Sequence, residues 1–455
     1  MSSSTLTWRE KLSYGGGSVA SNLSWNMVAG FLIVYYTDVA LLPAAAVGTL
    51  VLVTRIVDAA FDPVVGVLVD RTRSRWGKVR PYMLFAPIPF AILAVLTFLV
   101  PDASQTTKLI YACATFGLLG LAYSFLFVPY GALQPTLTHD PRAQLQLSGI
   151  RAMGTSIASI IVYALVLPTV AWIALRTGSS GYGGAAAVFA VATALLYWNV
   201  FVSCRERISV TQTASEPSSI GKSFRELLQN RIWIIAMVFE VLIFIRLGLI
   251  VPAMAFYARE VLHQPSLTSI LLPLMSVSIL TGGILAPWYL ARMRKRRGVI
   301  VALCFSCVFF ALMPFLSGSV PLLLAAFFLA LVSQGVQATT IFTMITEAVE
   351  LQARKFGTRS EGVISSSTAF TQKVGFAVGS SLVAYALALA GYNPKVPQES
   401  VAVALTWLVS AGPILVAVLQ IACIAFYDVD DSAAGAKQGA SGPAVANAAP
   451  QESRA

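Results

Sequence analysis

Twelve stretches of this sequence are apolar over a length that can cross the roughly 30 Å hydrocarbon core of a bilayer. They cover approximately residues 16–38, 44–69, 82–101, 108–134, 148–173, 185–203, 232–257, 267–291, 299–317, 320–346, 363–391 and 402–427. Hydrocarbon offers no water to the backbone, so each stretch must satisfy its own N–H and C=O groups, which a helix does internally. The fold class that follows is an all-α membrane protein. Composition enters here as an exclusion: 57% of the 455 residues are hydrophobic and 11% are charged, the latter under half of the roughly 25% found in soluble domains. A conventional cytosolic enzyme and a disordered tail protein are both excluded. The formal charge of +11 does not point to nucleic acid, because Lys and Arg occur in short runs between the apolar stretches rather than on one water-facing patch.

Those runs set the expected orientation, since short cytoplasmic loops carry the excess of Lys and Arg. Arg71, Arg73, Arg75, Lys78 and Arg80 follow the second stretch, and Arg292, Arg294, Lys295, Arg296 and Arg297 follow the eighth. Loops of the other parity hold only Arg176, Arg259 and Lys395. Both termini are therefore expected in the cytoplasm, and Met1 to Tyr14 shows neither the apolar region nor the cleavage site of a signal peptide. The polar stretch 204–231 separates a six-span half at 1–203 from a second at 232–427, and 428–455 is expected to be a disordered tail. The halves echo each other at an offset near 222 residues, which pairs Arg151 with Lys373, Ser159 with Ser381 and Tyr163 with Tyr385. A parallel repeat of two six-span halves is the layout of major facilitator transporters, whose substrate path runs between the halves at mid-membrane.

Charges inside the spans are the functional candidates, because each costs roughly 2.5–3.5 kcal/mol at a helix centre unless a partner or a cavity receives it. The second span reads LVTRIVDAAFDPVVGVLVD and places Arg55, Asp58 and Asp62 on one helix face. Two carboxylates four residues apart repel, so one is protonated, a cation lies between them, or Arg55 compensates one. Such a pair suits Na⁺ or H⁺. Arg151 and Lys373 should face the axis shared by the halves, where they neutralise the acids or hold an anionic solute. Glu240 and Arg246 fall on different faces of the seventh span. The segment GVLVDRTRSRWGKVRP (66–81) has the composition of a cytoplasmic latch, with Asp70, Arg73 and Arg75 on one side and Glu347, Glu350, Arg359 and Glu361 as ion-pair partners on the other.

No catalytic set accompanies these charges. The two histidines, His139 and His263, lie in loops, and the chain has neither a P-loop nor a Ser/His/Asp arrangement. Cys304 and Cys307 form a CxxC pair without the further ligands a metal centre needs. The remaining cysteines are read as small apolar residues. The chain is therefore expected not to be an enzyme and to need no cofactor beyond a coupling ion. With no nucleotide-binding domain, uphill transport would draw on an ion gradient.

The strings KLSYGGGSVASN (11–22), YYTDVALL (35–42), RIVDAAFDPVVG (55–66), TRSRWGKVRPY (72–82), VPYGALQPTLTHDPRAQL (128–145) and TEAVELQARKFGTRSEG (346–362) followed by QKVGFAVG together resemble the glycoside-pentoside-hexuronide:cation symporters, the family of the melibiose permease. The resemblance covers nearly all twelve spans. It implies that Asp58, Asp62 and Ser124 bind the coupling cation, Na⁺ or H⁺, and that Lys373 and Arg151 match the family's basic residues in spans eleven and five. It also implies that Asn22, Phe127, Gly131 and Ala338 stand where the permease has two aspartates and two tryptophans for its sugar, and these replacements argue against a melibiose-like substrate. A more apolar pocket with the acids retained is similar to the vertebrate sodium-lysophospholipid symporters, and Arg246 adds an anion contact. The expected function is cation-coupled symport of a glycoside or other small polar solute by alternating access, in a bacterial inner membrane and as a monomer. The alternative solute is amphipathic or anionic: a lysolipid, an aromatic acid or a uronide.

Overall fold

In the computed structural model, residues 6–138, 140–207, 227–356, 361–396 and 398–427 are described. Thr7 opens the first helix with a capping box: its hydroxyl accepts the Glu10 N–H while the Glu10 carboxylate takes the Thr7 N–H. This cap starts α1 (Trp8–Val34) eight residues before the apolar stretch. The helix then relaxes into a π-turn at Tyr35–Val39. The helices that follow are α2 (Ala44–Arg71), α3 (Arg80–Phe85), α4 (Pro87–Thr97), α5 (Gln105–Leu137), α6 (Pro141–Thr177) and α7 (Tyr182–Ser203). A second group comprises α8 (Arg231–Glu260), α9 (Thr268–Leu290), α10 (Lys295–Leu312), α11 (Val320–Phe356), α12 (Glu361–Leu389) and α13 (Glu399–Ala425).

Eleven of these are long and apolar enough to cross a membrane among the described residues. The stretch expected as one third span is instead two short helices, α3 and α4. The cause is local: Pro87 supplies no N–H to continue the ladder, so the helical pattern is interrupted at Ala86 although that residue keeps right-handed helical backbone. Elsewhere helices overrun the apolar stretches, because polar flanks with good caps remain helical outside hydrocarbon. Asp140 caps α6 by accepting the N–H groups of Arg142 and Ala143, seven residues before the expected start.

Within each group, the helices of the 222-residue echo occupy matching places. α6 packs on α1 and α12 packs on α8; across the groups, α6 meets α9 and α12 meets α2. Small residues make the closest of these contacts possible, as is usual where lipid offers no hydrophobic drive to association. A side chain added at Gly379 of α12 would strike the backbone of Ile245, and one at Gly335 of α11 would strike that of Ile279.

Candidate functional site

Asp58 and Asp62 meet α5 and α12 at one point between the groups. The Ser124 hydroxyl lies 2.9 Å from Asp58 Oδ1 and 2.6 Å from Asp62 Oδ1. Its single proton serves one of them at a time. Lys373 Nζ stands 2.7 Å from Asp62 Oδ2, 3.1 Å from Asp58 Oδ2 and 3.2 Å from Ser124 Oγ. Arg55 reaches Asp58 Oδ2 at 3.7 Å. Two carboxylates and two cations thus form a balanced, largely buried cluster, with Asp58 at 2% exposure. The expected trio of Asp58, Asp62 and Ser124 is brought together, and Lys373, expected either to neutralise the acids or to hold an anionic solute, lies at the acids.

Three further residues build the cluster and were not singled out from the sequence. Gly120 lies one turn before Ser124, and a Cβ there would come within 3.2 Å of the Asp58 carboxyl carbon. Its absence lets the acid approach α5. Trp25 of α1 and Phe116 of α5 sandwich the Arg55 guanidinium, with ring centroids 3.8 and 4.8 Å from its carbon. This cation–π arrangement retains a charge whose one carboxylate partner among the described residues lies at 3.7 Å. A sequence signal existed in hindsight: Gly120 and Ser124 share a face, as do Phe116 and Gly120.

From Trp25 the aromatic surface continues. Trp25 stacks on Tyr123 at 4.2 Å and Tyr123 on Phe127 at 5.5 Å. Arg151 then lies over Phe127 at 5.8 Å and Tyr130 at 5.2 Å. Gly131 borders it: a Cβ there would stand in ordinary contact with the Arg151 Nη1, at 4.0 Å. Asn22 is turned to α6, donating to Ser18 O at 2.8 Å and Thr155 Oγ1 at 3.4 Å, and Ser18 donates to the Arg151 carbonyl at 2.7 Å. Asn22, Phe127, Gly131 and Arg151 therefore share the α1, α5 and α6 surface. Ala338 is half-buried on α11 in the other group, and no described contact ties it to them.

Arg246 differs from the expectation of a solute contact. It is fully buried inside the second group, with Nε donating to Gln334 Oε1 at 2.7 Å and Nη2 to Ser333 Oγ at 3.4 Å. The reason is packing: α8 turns this face onto α11. Glu240, also 2% exposed, accepts from Thr371 Oγ1 and Gln372 Nε2 of α12, each at 2.9 Å.

The expected latch is distributed differently. Arg73, Arg75 and Glu350 are exposed, with no contact among them. Glu347 is held by Lys295 and Tyr427 of its own group. The side chains of Asp70, Arg359 and Glu361 lie outside the described residues, as does the 428–455 tail. Glu206 binds the loop backbone instead, accepting from the N–H groups of Lys78, Val79 and Arg80. The polar ties described between the groups lie at the level of Lys373 or toward the face opposite the basic loops. Ser381 donates to Gly48 O at 2.9 Å, and Thr49 meets the Tyr385 hydroxyl at 2.9 Å. At that face, Asp38 on the π-turn pairs with Arg259 of α8 and accepts from the Tyr392 hydroxyl at 2.7 Å. Burial, reinforced by the neighbouring Asp38 carboxylate, pushes the Tyr392 hydroxyl up, so it remains a donor.

Comparison with known proteins agrees with this architecture. The sequence profile of the MFS/sugar transport protein family matches residues 13–431. The chain is 32% identical over 433 residues to a glucuronide carrier protein homolog of Escherichia coli strain K12, covering 94% of this chain and 93% of that one. It is 30% identical over 430 residues to the isoprimeverose transporter of Lactiplantibacillus pentosus, covering 93% and 89%. Among solved structures, a bacterial homolog of the lysosomal transporter Spinster superposes with a TM-score of 0.69 at 13% identity, over 92% of this chain and 97% of that one, which fixes the fold alone. The chain is a multi-pass protein of the bacterial inner membrane, and it belongs to the MFS/sugar transport family, within its glycoside-pentoside-hexuronide:cation branch, as a secondary transporter rather than an enzyme.

Proposed function

We propose that this transporter couples entry of a glycoside to a monovalent cation bound by Asp58, Asp62 and Ser124. One observation carries the reading: Lys373 of the second group occupies both carboxylates of the first. An ammonium in that position is an internal competitor for the coupling ion. When Na⁺ or H⁺ neutralises the acids, Lys373 is released and the tie between the groups at mid-membrane is cut. The groups can then rock, with Arg73 and Arg75 closing toward Glu350 on the basic-loop side. Ligands thereby shift a balance between two states through their different affinity for each.

The solute lies against Asn22, Phe127, Gly131 and Arg151, with Ala338 facing it from the second group. Phe127 supplies an apolar wall beside Arg151, held in place by Tyr123 and Trp25, whose own ring faces are taken by each other and by Arg55. Arg151 makes no ion pair among the described residues and is free to receive a carboxylate, which favours an acidic glycoside. The relatives named for a glucuronide and for isoprimeverose support the solute class.

Proteoliposomes with an imposed Na⁺ or H⁺ gradient, offered phenyl β-glucuronide and phenyl β-glucoside, test both parts. Accumulation of either solute, driven by one of the two gradients, is expected, with the glucuronide preferred. Failure of both gradients to drive either solute overturns the coupling and the solute class; equal uptake of the two overturns the role of Arg151.

A further inference from the structure

A cavity lies on the flank of the first group, where α3 and α4 meet α2 and α5. Its volume is about 640 Å³, and Phe61 of α2, Phe85 of α3, Pro89 of α4 and Leu118, Ala122 and Phe125 of α5 form its walls. This volume lies within the roughly 300–1,000 Å³ of ligand sites. The chemistry is almost wholly apolar: the two hydroxyls at its edge, Thr72 and Tyr82, bond each other at 2.7 Å. Phe85 and Leu118 stand more than half exposed at the mouth, so in a membrane the cavity opens to lipid.

Directly beside the α3 end of the cavity runs the 71–80 loop. Arg71, Arg73, Arg75 and Lys78 are exposed and make no ion pair among the described residues. The nearby acid, Glu206, accepts backbone N–H groups of this loop and pairs with none of those four side chains. Trp76 of the same loop lies 6.0 Å from Phe85, tying the basic segment to the cavity wall. An apolar slot open to acyl chains with a cationic rim at headgroup level fits a single kind of occupant. Basic segments at this level attract anionic lipid by about 1 kcal/mol per Lys or Arg.

We propose that the cavity holds one acyl chain of an anionic phospholipid whose phosphate lies on Arg71, Arg73, Arg75 and Lys78. The occupant packs on the lipid side of the Phe61 and Phe125 pair, whose rings meet edge to face at 6.3 Å. These residues are the chain neighbours of Asp62 and Ser124, so the lipid buttresses the wall that carries the cation cluster.

The test is native mass spectrometry of the full chain in detergent, titrated separately with palmitoyl-oleoyl phosphatidylglycerol and with palmitoyl-oleoyl phosphatidylcholine. One phosphatidylglycerol per chain should be retained, with about tenfold preference over phosphatidylcholine. Ala122→Trp fills the slot and should abolish retention. Replacing Arg71, Arg73, Arg75 and Lys78 together by Gln should remove the preference while leaving weak retention of both lipids. If Ala122→Trp does not fold, a phosphatidylglycerol carrying a diazirine on its acyl chain, cross-linked to the wild-type protein, decides: label concentrated on peptides spanning 82–89 and 118–125 supports the site. Equal retention of the two lipids by the wild type, undiminished retention by a folded Ala122→Trp protein, or label spread evenly over the helices overturns it.

Discussion

Lys373 Nζ lies 2.7 Å from Asp62 Oδ2, and this ion pair crosses from the second helical group to the first. It joins two residues 311 positions apart in sequence and completes a cluster in which Arg55 and Lys373 balance Asp58 and Asp62. Removing one partner of such a cluster leaves an uncompensated charge, which in buried pairs costs roughly 3–5 kcal/mol.

Lys373→Ala should therefore cut ion-driven accumulation at least about tenfold while exchange of solute down its gradient continues. Uptake in proteoliposomes with and without an ion gradient makes the comparison, and size-exclusion chromatography checks the fold. Normal accumulation with unaltered ion dependence would mean that Lys373 does not compete with the coupling cation.

Gly120→Val introduces branched carbon where even one Cβ sits 3.2 Å from the Asp58 carboxyl. Overpacking of this kind typically costs about 1–3 kcal/mol, here spent on displacing an acid from Ser124. The expected result is a cation affinity lower by about tenfold or more with solute binding retained, read by thermal shift against Na⁺ and H⁺ concentration. An unchanged cation response would remove Gly120 from the site.

Arg151→Gln should lower uptake of phenyl β-glucuronide far more than of phenyl β-glucoside, since a hydrogen bond to a charged group contributes about 1.5–3 kcal/mol. Phe127→Asp, which places a carboxylate beside Arg151, should shift preference toward the neutral glycoside. Competition between the two solutes in one uptake assay measures both. An identical fall for both solutes in Arg151→Gln would show a structural role only.

Asp38→Asn weakens the tie to Arg259 and Tyr392 on the face opposite the basic loops. A charge-assisted bond of this sort contributes about 1.5–3 kcal/mol, so the balance should move about tenfold or more toward opening on that face. A cysteine introduced at Ser381, tucked against Gly48 in the closed arrangement, should then react faster with a membrane-impermeant maleimide. Equal rates in the presence and absence of Asp38→Asn would exclude the latch.

Cys204 follows the last residue of α7 and is fully buried. Burial, with the Glu10 carboxylate second, pushes its thiol up to about 12 from 9.0. A raised value favours the protonated form in the folded chain, so this contribution is complete below 9.0 and fades as pH rises through about 12. At pH 7.5 Cys204 should resist N-ethylmaleimide in the folded protein and react after SDS unfolding, as intact mass will show.

The membrane class and the shared helix face of Asp58 and Asp62 were legible in the sequence, and Ser124 beside them only through the family resemblance. The first two are local or periodic properties: apolar runs of spanning length and acids spaced one helical turn apart. The break at Pro87 and the early start at Thr7 were equally local, but they depend on proline and capping chemistry that an apolar-run reading smooths over. Tertiary structure alone decided the rest. Whether Arg246 faces solute or protein depends on which side of α8 meets α11, and both sides of a membrane helix are apolar enough to hide that choice. Glu347 goes to Lys295 and Tyr427 rather than to the 71–80 loop because ion pairs form by proximity in space, and like residues in a loop are interchangeable to a reader of sequence. Gly120, Trp25 and the Asp38–Arg259 tie escaped for the same reason: a missing side chain, an aromatic face and a single interfacial charge acquire meaning only from the helix packed against them.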